Sequence, residues 1–394
     1  MIIKDVLVYT EEKKFVYGAV RIVGDRIAQI WLEKEAEAVE QCKASDEEYL
    51  EGKGCYLIPG MIDLHIHGCR GYDFCDGTLA AVEKIAEYQA SIGVTTFVPA
   101  MMTLPIERLE DILKNAAQYV KKREKERLPK YADLGGINME GPFISREKKG
   151  AQDEKNILLP DKGVFERFQQ SAEGLVKYIG LAPEADGAEV FIQQVKEDVK
   201  VTIAHSNADY ETAVSAFRSG VCHVTHLYNA MSAFGHREPG IPGAVMDTEG
   251  VEAELICDGL HVHPAVIRST FTILGTERII MVSDSMRAAG MPEGSYELGG
   301  QKVIVKGKRA FLEDGTIAGS VTSLPDCLRY VVTEVGIPLE EAVACVTMNP
   351  ARSLGIFKEC GSLVVGKRAD MVLLDRKLEK VAVIKGGAII TPPQ

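Results

Sequence analysis

The sequence predicts an α/β protein: a (β/α)8 barrel of the TIM type, with a small β-sandwich domain assembled from both termini. Three observations carry that expectation. Short apolar runs alternate with helix-length amphipathic segments from about residue 57 to about residue 336. Histidine, glutamate and aspartate residues stand at the C-terminal tips of several of those runs, where a barrel builds its sites. Both flanks consist of β-like runs that cannot bury a face alone.

In chain order, residues 1–56 hold Ile2-Ile3, Val6-Leu7-Val8, Val20–Val23 and Ile27–Ile30, with Gly24-Asp25 as a turn. The barrel is expected over residues 57–359. Its strands are expected at Ile58–His67, Val94–Pro99, Leu134–Glu140, Tyr178–Ala182, Val199–His205, Val221–His226, Glu252–Cys257 and Arg278–Asp284. Helical patterns between them include Thr78–Ile92, Ile106–Glu124, Glu184–Glu197, Asp209–Ser219 and Pro264–Leu274. A hairpin-like insertion near 296–317 is punctuated by Gly299-Gly300 and Asp314-Gly315. The last flank, 360–394, repeats the β-like pattern in Ser362–Val365, Asp370–Leu374 and Val381–Ile384. Pairing the two flanks into one discontinuous domain is the economical solution. A doubly wound sheet gives a similar order of elements; the polar strand ends favour the barrel.

Composition excludes several function classes. A chain of 394 residues that is 46% hydrophobic and 26% charged has the material for a sizeable core. A formal net charge of -12, without a basic stripe, argues against a nucleic-acid partner. The densest basic run, Lys121-Lys122-Arg123-Glu124-Lys125-Glu126-Arg127, mixes signs and reads as a solvated helix face. No apolar stretch reaches the roughly 18 residues of a membrane span, and the N-terminal residues lack a signal peptide's pattern. Nine irregularly spaced cysteines form neither a disulfide framework nor a zinc ribbon. Cys222 and Cys257 sit in apolar runs and are expected in the core, and a reducing cytoplasm is the expected compartment.

The chemistry concentrates at strand ends. In Asp63-Leu64-His65-Ile66-His67-Gly68, residues i and i+2 of a strand point the same way, so His65 and His67 present two imidazoles to one ion. Asp63 shares that face, and either orients the histidines or closes the barrel. Glu140 precedes Gly141-Pro142, His205 ends the fifth run, His226 the sixth and Asp284 the eighth. This set of imidazoles and carboxylates suits a borderline divalent ion such as zinc or ferrous iron. His223, three positions from His226, is expected on the opposite side of its strand and reads as a satisfied structural histidine; His263 reads as loop or helix-cap material.

Six segments carry a resemblance: His65-Ile66-His67, Met139-Glu140-Gly141-Pro142-Phe143, Ala204-His205-Ser206-Asn207-Ala208, Thr225-His226-Leu227-Tyr228-Asn229-Ala230-Met231, Asp258-Gly259-Leu260-His261-Val262 and Ser283-Asp284. Together they resemble the N-acetylglucosamine-6-phosphate deacetylase family of the amidohydrolase superfamily, and the likeness extends to Gly366-Lys367-Arg368-Ala369-Asp370. The resemblance implies a metal-dependent barrel that removes acetate from a phosphorylated amino sugar, with one or two divalent ions, zinc or iron, per subunit. It implies Glu140, His205 and His226 as the principal metal ligands, and His65 and His67 as a second site with Glu140 as the bridge. Many relatives bridge their metals with a carboxylated lysine on the fourth strand, but Tyr178-Ile179-Gly180-Leu181-Ala182-Pro183-Glu184 has no lysine at its tip.

Asp284 is then expected as general base and acid, and His261 as the donor to the acetyl oxygen. Arg237 matches a phosphate-binding arginine that reaches the neighbouring active site of a homodimer; by itself it reads as a surface loop residue. Backbone at Asn229 and Ala230 matches a further phosphate contact. Gln152 stands where some members carry a substrate-contacting histidine, and Leu324 lies in a loop packed near the sugar. Rival readings are another amidohydrolase without a phosphate clamp, such as an N-acyl-D-amino-acid deacylase or a nucleobase deaminase, and a non-catalytic scaffold. The scaffold conflicts with the retention of every ligand and of Asp284.

Overall fold

The computed structural model describes residues 1–37, 48–126 and 128–391. Eight parallel strands pair in sequence order: Met61–Ile66, Val94–Met101, Ile137–Phe143, Val176–Leu181, Lys200–Ile203, His223–Val224, Glu252–Ile256 and Ile279–Val282. Closure comes from the ends of the first and eighth. The Asp284 N–H donates to the His65 carbonyl at 2.9 Å, and Ile66 bridges to Ser285. Asp63 accepts from the Ser283 N–H at 3.2 Å, so this buried carboxylate stitches the barrel shut. Burial pushes its pKa up to about 6 against those hydrogen bonds.

Strands covered on both faces read as continuous apolar runs because helices pack outside and neighbouring strands fill the inside. Local signals start and stop the helices. Thr78 caps Leu79–Ile92 by accepting from the Ala81 N–H, and left-handed Gly93 ends it. Asp209 caps Tyr210–Ser219, and His263 caps Pro264–Leu274, the role expected for that histidine. The charged run from Lys121 lies at the end of helix Ile106–Glu126, where Lys121 pairs with Glu173 and Lys122 with Glu83. Arg127 and Cys42 lie outside the described residues.

The third strand departs from expectation in a way that shapes the site. It does not stop at Glu140 but runs through Gly141-Pro142 to Phe143. Met139 pairs with Ile179 and Phe143 with Leu181, so two extra residues bulge out of the third strand between them. The bulge needs an empty position opposite. Gly180 supplies it, since a Cβ there would collide with the Glu140 carbonyl. Gly180→Ala is therefore expected to destabilise the protein by about 1–3 kcal/mol in urea denaturation.

The first expected strand is in fact two. Tyr49–Pro59 belongs to a separate sheet, and Gly60 lets the chain pass into Met61–Ile66 because a Cβ at that position would strike Thr95. The separate sheet has seven strands, in the order Ala388–Thr391, Lys380–Lys385, Met371–Leu374, Tyr49–Pro59, Ile2–Tyr9, Phe15–Val23, Arg26–Leu32. All its pairings are antiparallel except Ile2–Tyr9 with Tyr49–Pro59. Both termini thus join one sheet, as expected. It curls on itself: the Ile27 N–H donates to the Lys367 carbonyl, and Ile3, Val20, Ile27, Leu57, Met371 and Ile384 share one apolar cluster. Ile58, Val372 and Leu374 alternate to the other face and join the barrel's core.

Two further expectations are corrected. Ser362–Val365 is irregular, held between left-handed Gly361 and Gly366 with Val365 in solvent. Cys222 is exposed, because it precedes the two-residue strand His223–Val224 directly after the turn at Gly220; Cys257 is buried as expected. The insertion is a three-stranded antiparallel sheet, Gly294–Leu298, Gln301–Lys306 and Arg309–Phe311. Gly299 and Gly300 make its first turn with positive φ at both positions. Leu298, Val303 and Val305 pack with Met102 and Met286, which seats the insertion on the barrel's C-terminal rim.

Candidate metal and catalytic site

At that rim the strand tips bring their polar residues together. His65, His67 and Asp284 form one buried group whose ligand atoms all lie within 4.8 Å of one another, and Glu140, His205 and His226 form a second. Glu140 joins them. Its Oε1 lies 2.9 Å from His205 Nε2, 3.0 Å from His226 Nε2 and 3.6 Å from His65 Nε2, while its Oε2 lies 3.6 Å from His67 Nε2. Asp284 Oδ1 stands 3.2 Å from His67 Nε2 and 3.6 Å from His65 Nε2. His205, His226 and Asp284 hold left-handed backbone, with φ of 45°, 31° and 47°. Strain at non-glycine residues of this kind is tolerated where the surroundings over-determine it.

The far ring nitrogens fix what the near ones offer. Nδ1 of His67, His205 and His226 faces the carbonyls of Ala100, Lys148 and Asn229 at 3.2, 2.8 and 3.1 Å. A carbonyl only accepts, so each Nδ1 carries a proton, and on a neutral ring Nε2 would turn a lone pair toward the Glu140–Asp284 side. Lone pairs would then face carboxylate oxygens at hydrogen-bond distance. The arrangement demands positive charge, from protons on the rings or from a cation between them. Imidazole nitrogens and carboxylate oxygens in this number suit a divalent metal ion, with backbone carbonyls as outer supports. Two buried atoms without a hydrogen-bond partner, His65 Nε2 and Asp284 Oδ1, point the same way.

Titration directions agree with that reading. Burial would push Glu140 up, but His205 and His65 hold it well below the usual carboxylate range. Asp284 is likewise lowered, with His67 and His65 outweighing burial. His261 is raised: burial opposes its charged form, but Asp258 lies 2.7 Å from its Nδ1 and favours it.

A cavity of about 300 Å³ opens over these groups. His67, Glu140, Gln152, His205, His226, Asn229, Ala230, His261 and Asp284 line it, with Leu298, Thr316 and Ile317 of the insertion on one side. Gln152 donates to Glu140 Oε2 at 2.8 Å and accepts from the Thr103 N–H at 2.6 Å, so its amide braces the glutamate. Arg237 is exposed in its loop and does not line the cavity. Leu324, expected near the sugar, is buried in the barrel's apolar cluster at the start of helix Leu324–Tyr330 and is not part of the lining. One carboxylate was not anticipated. Glu254 lies fully buried 3.0 Å from His65 Nδ1, and its signal was a second glutamate inside the apolar run Glu252–Cys257.

Comparison with known proteins decides the family. The model of the amidohydrolase family matches residues 56–391. The chain belongs to the amidohydrolase family. This amidohydrolase is 35% identical over 390 residues to the N-acetylglucosamine-6-phosphate deacetylase of Bacillus subtilis (strain 168), covering 99% of this chain and 96% of the relative. It is 34% identical to the N-acetylgalactosamine-6-phosphate deacetylase of Escherichia coli O157:H7, over 82% of this chain and 84% of that protein. A mutant N-acetyl-D-glucosamine-6-phosphate deacetylase from Mycobacterium smegmatis, solved with N-acetyl-D-glucosamine-6-phosphate, superposes with a TM-score of 0.89 at 31% identity, covering 99% of each chain. Among the described residues of the amidohydrolase, no helix is long and apolar enough to cross a membrane.

Proposed function

We propose that this protein hydrolyses the acetamide of N-acetyl-D-glucosamine 6-phosphate, giving acetate and D-glucosamine 6-phosphate, as a step in amino-sugar catabolism or recycling. The observation that carries the proposal is the meeting of two metal-competent groups around Glu140, in a chain related over 99% of its length to a curated deacetylase. Glu140, His205 and His226 would hold one divalent ion, zinc or ferrous iron. His65, His67 and Asp284 would hold a second, with Glu140 shared between them. When bound, such an ion supplies Lewis acidity and makes water a competent nucleophile near neutral pH.

The chain's own residues then divide the labour. Asp284, buried and held ionised, takes a proton from the attacking water. As oxygen bonds to the carbonyl carbon, negative charge grows on the acetyl oxygen, and His261, held by Asp258, donates a hydrogen bond to it. Asp284 returns the proton to the amide nitrogen, the C–N bond breaks, and acetate and a free amine leave. Gln152 steadies Glu140 and turns its flank to the sugar. We place the reaction in the cytoplasm, which the eight free described cysteines support.

The phosphate is assigned to the backbone at Asn229 and Ala230, which line the cavity, and to Arg237 of a neighbouring subunit in a homodimer. An exposed guanidinium outside its own cavity fits a residue that serves another copy, and its planar fork suits a phosphate. Arg237→Ala is expected to raise KM for the 6-phosphate by about 10–100-fold, from one charge-assisted contact, and to leave unphosphorylated N-acetylglucosamine unaffected. Steady-state acetate release from both sugars checks it, and equal loss on both would remove the phosphate assignment. N-acetylgalactosamine 6-phosphate is the second reading, favoured by the Escherichia coli relative; the same assay with the epimer decides between them.

A further inference from the structure

The amidohydrolase's barrel interior contains a row of polar groups that the proposed chemistry does not use. At its lower end Lys200 Nζ lies 2.8 Å from Glu252 Oε2, and Ser353 Oγ donates to the same oxygen at 2.6 Å. His223 follows, with Nδ1 3.1 Å from Glu252 Oε2 and Nε2 3.1 Å from Glu254 Oε1. Glu254 Oε2 then lies 3.0 Å from His65 Nδ1 and accepts the His226 N–H at 3.3 Å. His65, His223 and Glu254 have no exposed surface.

Ionised carboxylates only accept, so the row has a direction. His223 stands between two of them and donates from both nitrogens, as an imidazolium. That leaves Glu254 Oε2 to accept a hydrogen bond from the Nδ1–H of His65, whose Nε2 then has a free lone pair on the cavity side. Among the four histidines of the two ligand groups, His65 alone has a carboxylate at Nδ1; the other three face neutral carbonyls. A carboxylate behind an imidazole raises its strength as a ligand and fixes its tautomer.

We infer that Glu254, held by the buried His223–Glu252 pair, is a positioning residue that strengthens ion binding selectively at the His65, His67 and Asp284 group. The inference rests on the two-ion reading of the proposed function. It explains why charged groups occupy the interior of strands that elsewhere are apolar. An unpaired carboxylate there would be costly, and this one is paired on both sides.

The test is a cobalt(II) titration of chelator-treated protein, followed by visible absorption, with acetate release measured on the same preparations. Two binding steps are expected for the unaltered chain, and His67→Asn should abolish one of them. Glu254→Gln keeps the shape and loses the charge, and should weaken that same step by about 10–100-fold while leaving the other step in place. His223→Gln, which leaves Glu254 charged but less firmly held, should weaken the same step by a smaller factor, and it serves if Glu254→Gln does not fold. Unchanged titrations in both variants, or equal weakening of both steps, would overturn the inference. A single step in the unaltered protein would overturn it as well, together with the two-ion reading, whereas undiminished acetate release would leave the deacetylase reading standing.

Discussion

Asp284→Asn is expected to lower acetate release by about a thousandfold, within the range that general acid–base groups supply. Asparagine fills the same volume but cannot take a proton from water or return one to the amine. The size of the effect follows from the position. Asp284 is buried against His67 and His65, its left-handed backbone is fixed by bonds to His65 and Ser320, and among the described residues of the lining no carboxylate except Glu140 is available to replace it. Metal content should be measured beside the rate, because Asp284 also belongs to one of the two ligand groups. A thousandfold loss at unchanged metal content assigns proton transfer, whereas a parallel loss of metal assigns a ligand role.

Glu140→Gln is expected to cost at least as much activity and to lower the bound metal as well. The glutamate touches both histidines of its own group, approaches both of the other, and receives Gln152 from behind. An amide in its place offers one weakly coordinating oxygen and turns N–H donors toward groups arranged for an anion. Metal analysis after dialysis should give clearly less than the unaltered protein's stoichiometry. Full metal content with normal turnover would show that Glu140 is not the shared ligand.

Much of this site was legible because the signals were local. A His-x-His pair at the end of an apolar run needs only the two-residue period of a strand to put both rings on one side. His205, His226 and Asp284 likewise stand at the tips of runs whose parallel pairing follows from the alternation of strands and helices. What escaped was non-local. The bulge that aims Glu140 depends on Gly180 in the neighbouring strand, and nothing next to Glu140 announces it. His223 is buried and paired, as a structural histidine should be, yet it does not turn to the opposite side of its strand: it lies in the barrel interior beneath the cavity, because its partners Glu252 and Glu254 on the next strand hold it there. Two glutamates at i and i+2 in a buried run were a usable sign that a partner had to exist. Leu324 shows the opposite failure, where loop position in a resemblance did not predict that the side chain would turn into the core. The first strand reads as one long run because Ile58 and Pro59 are as apolar as Met61 and Ile62. Only the missing Cβ of Gly60 marks the passage between two sheets.

The most direct measurement is acetate release from N-acetyl-D-glucosamine 6-phosphate by the purified protein before and after removal of metal with a chelator, and again after a divalent ion is restored. Equimolar acetate and glucosamine 6-phosphate, lost on chelation and regained with zinc or ferrous iron, is the expected result. Turnover that survives complete metal removal, or a metal-loaded protein that leaves the acetamide intact, would contradict it.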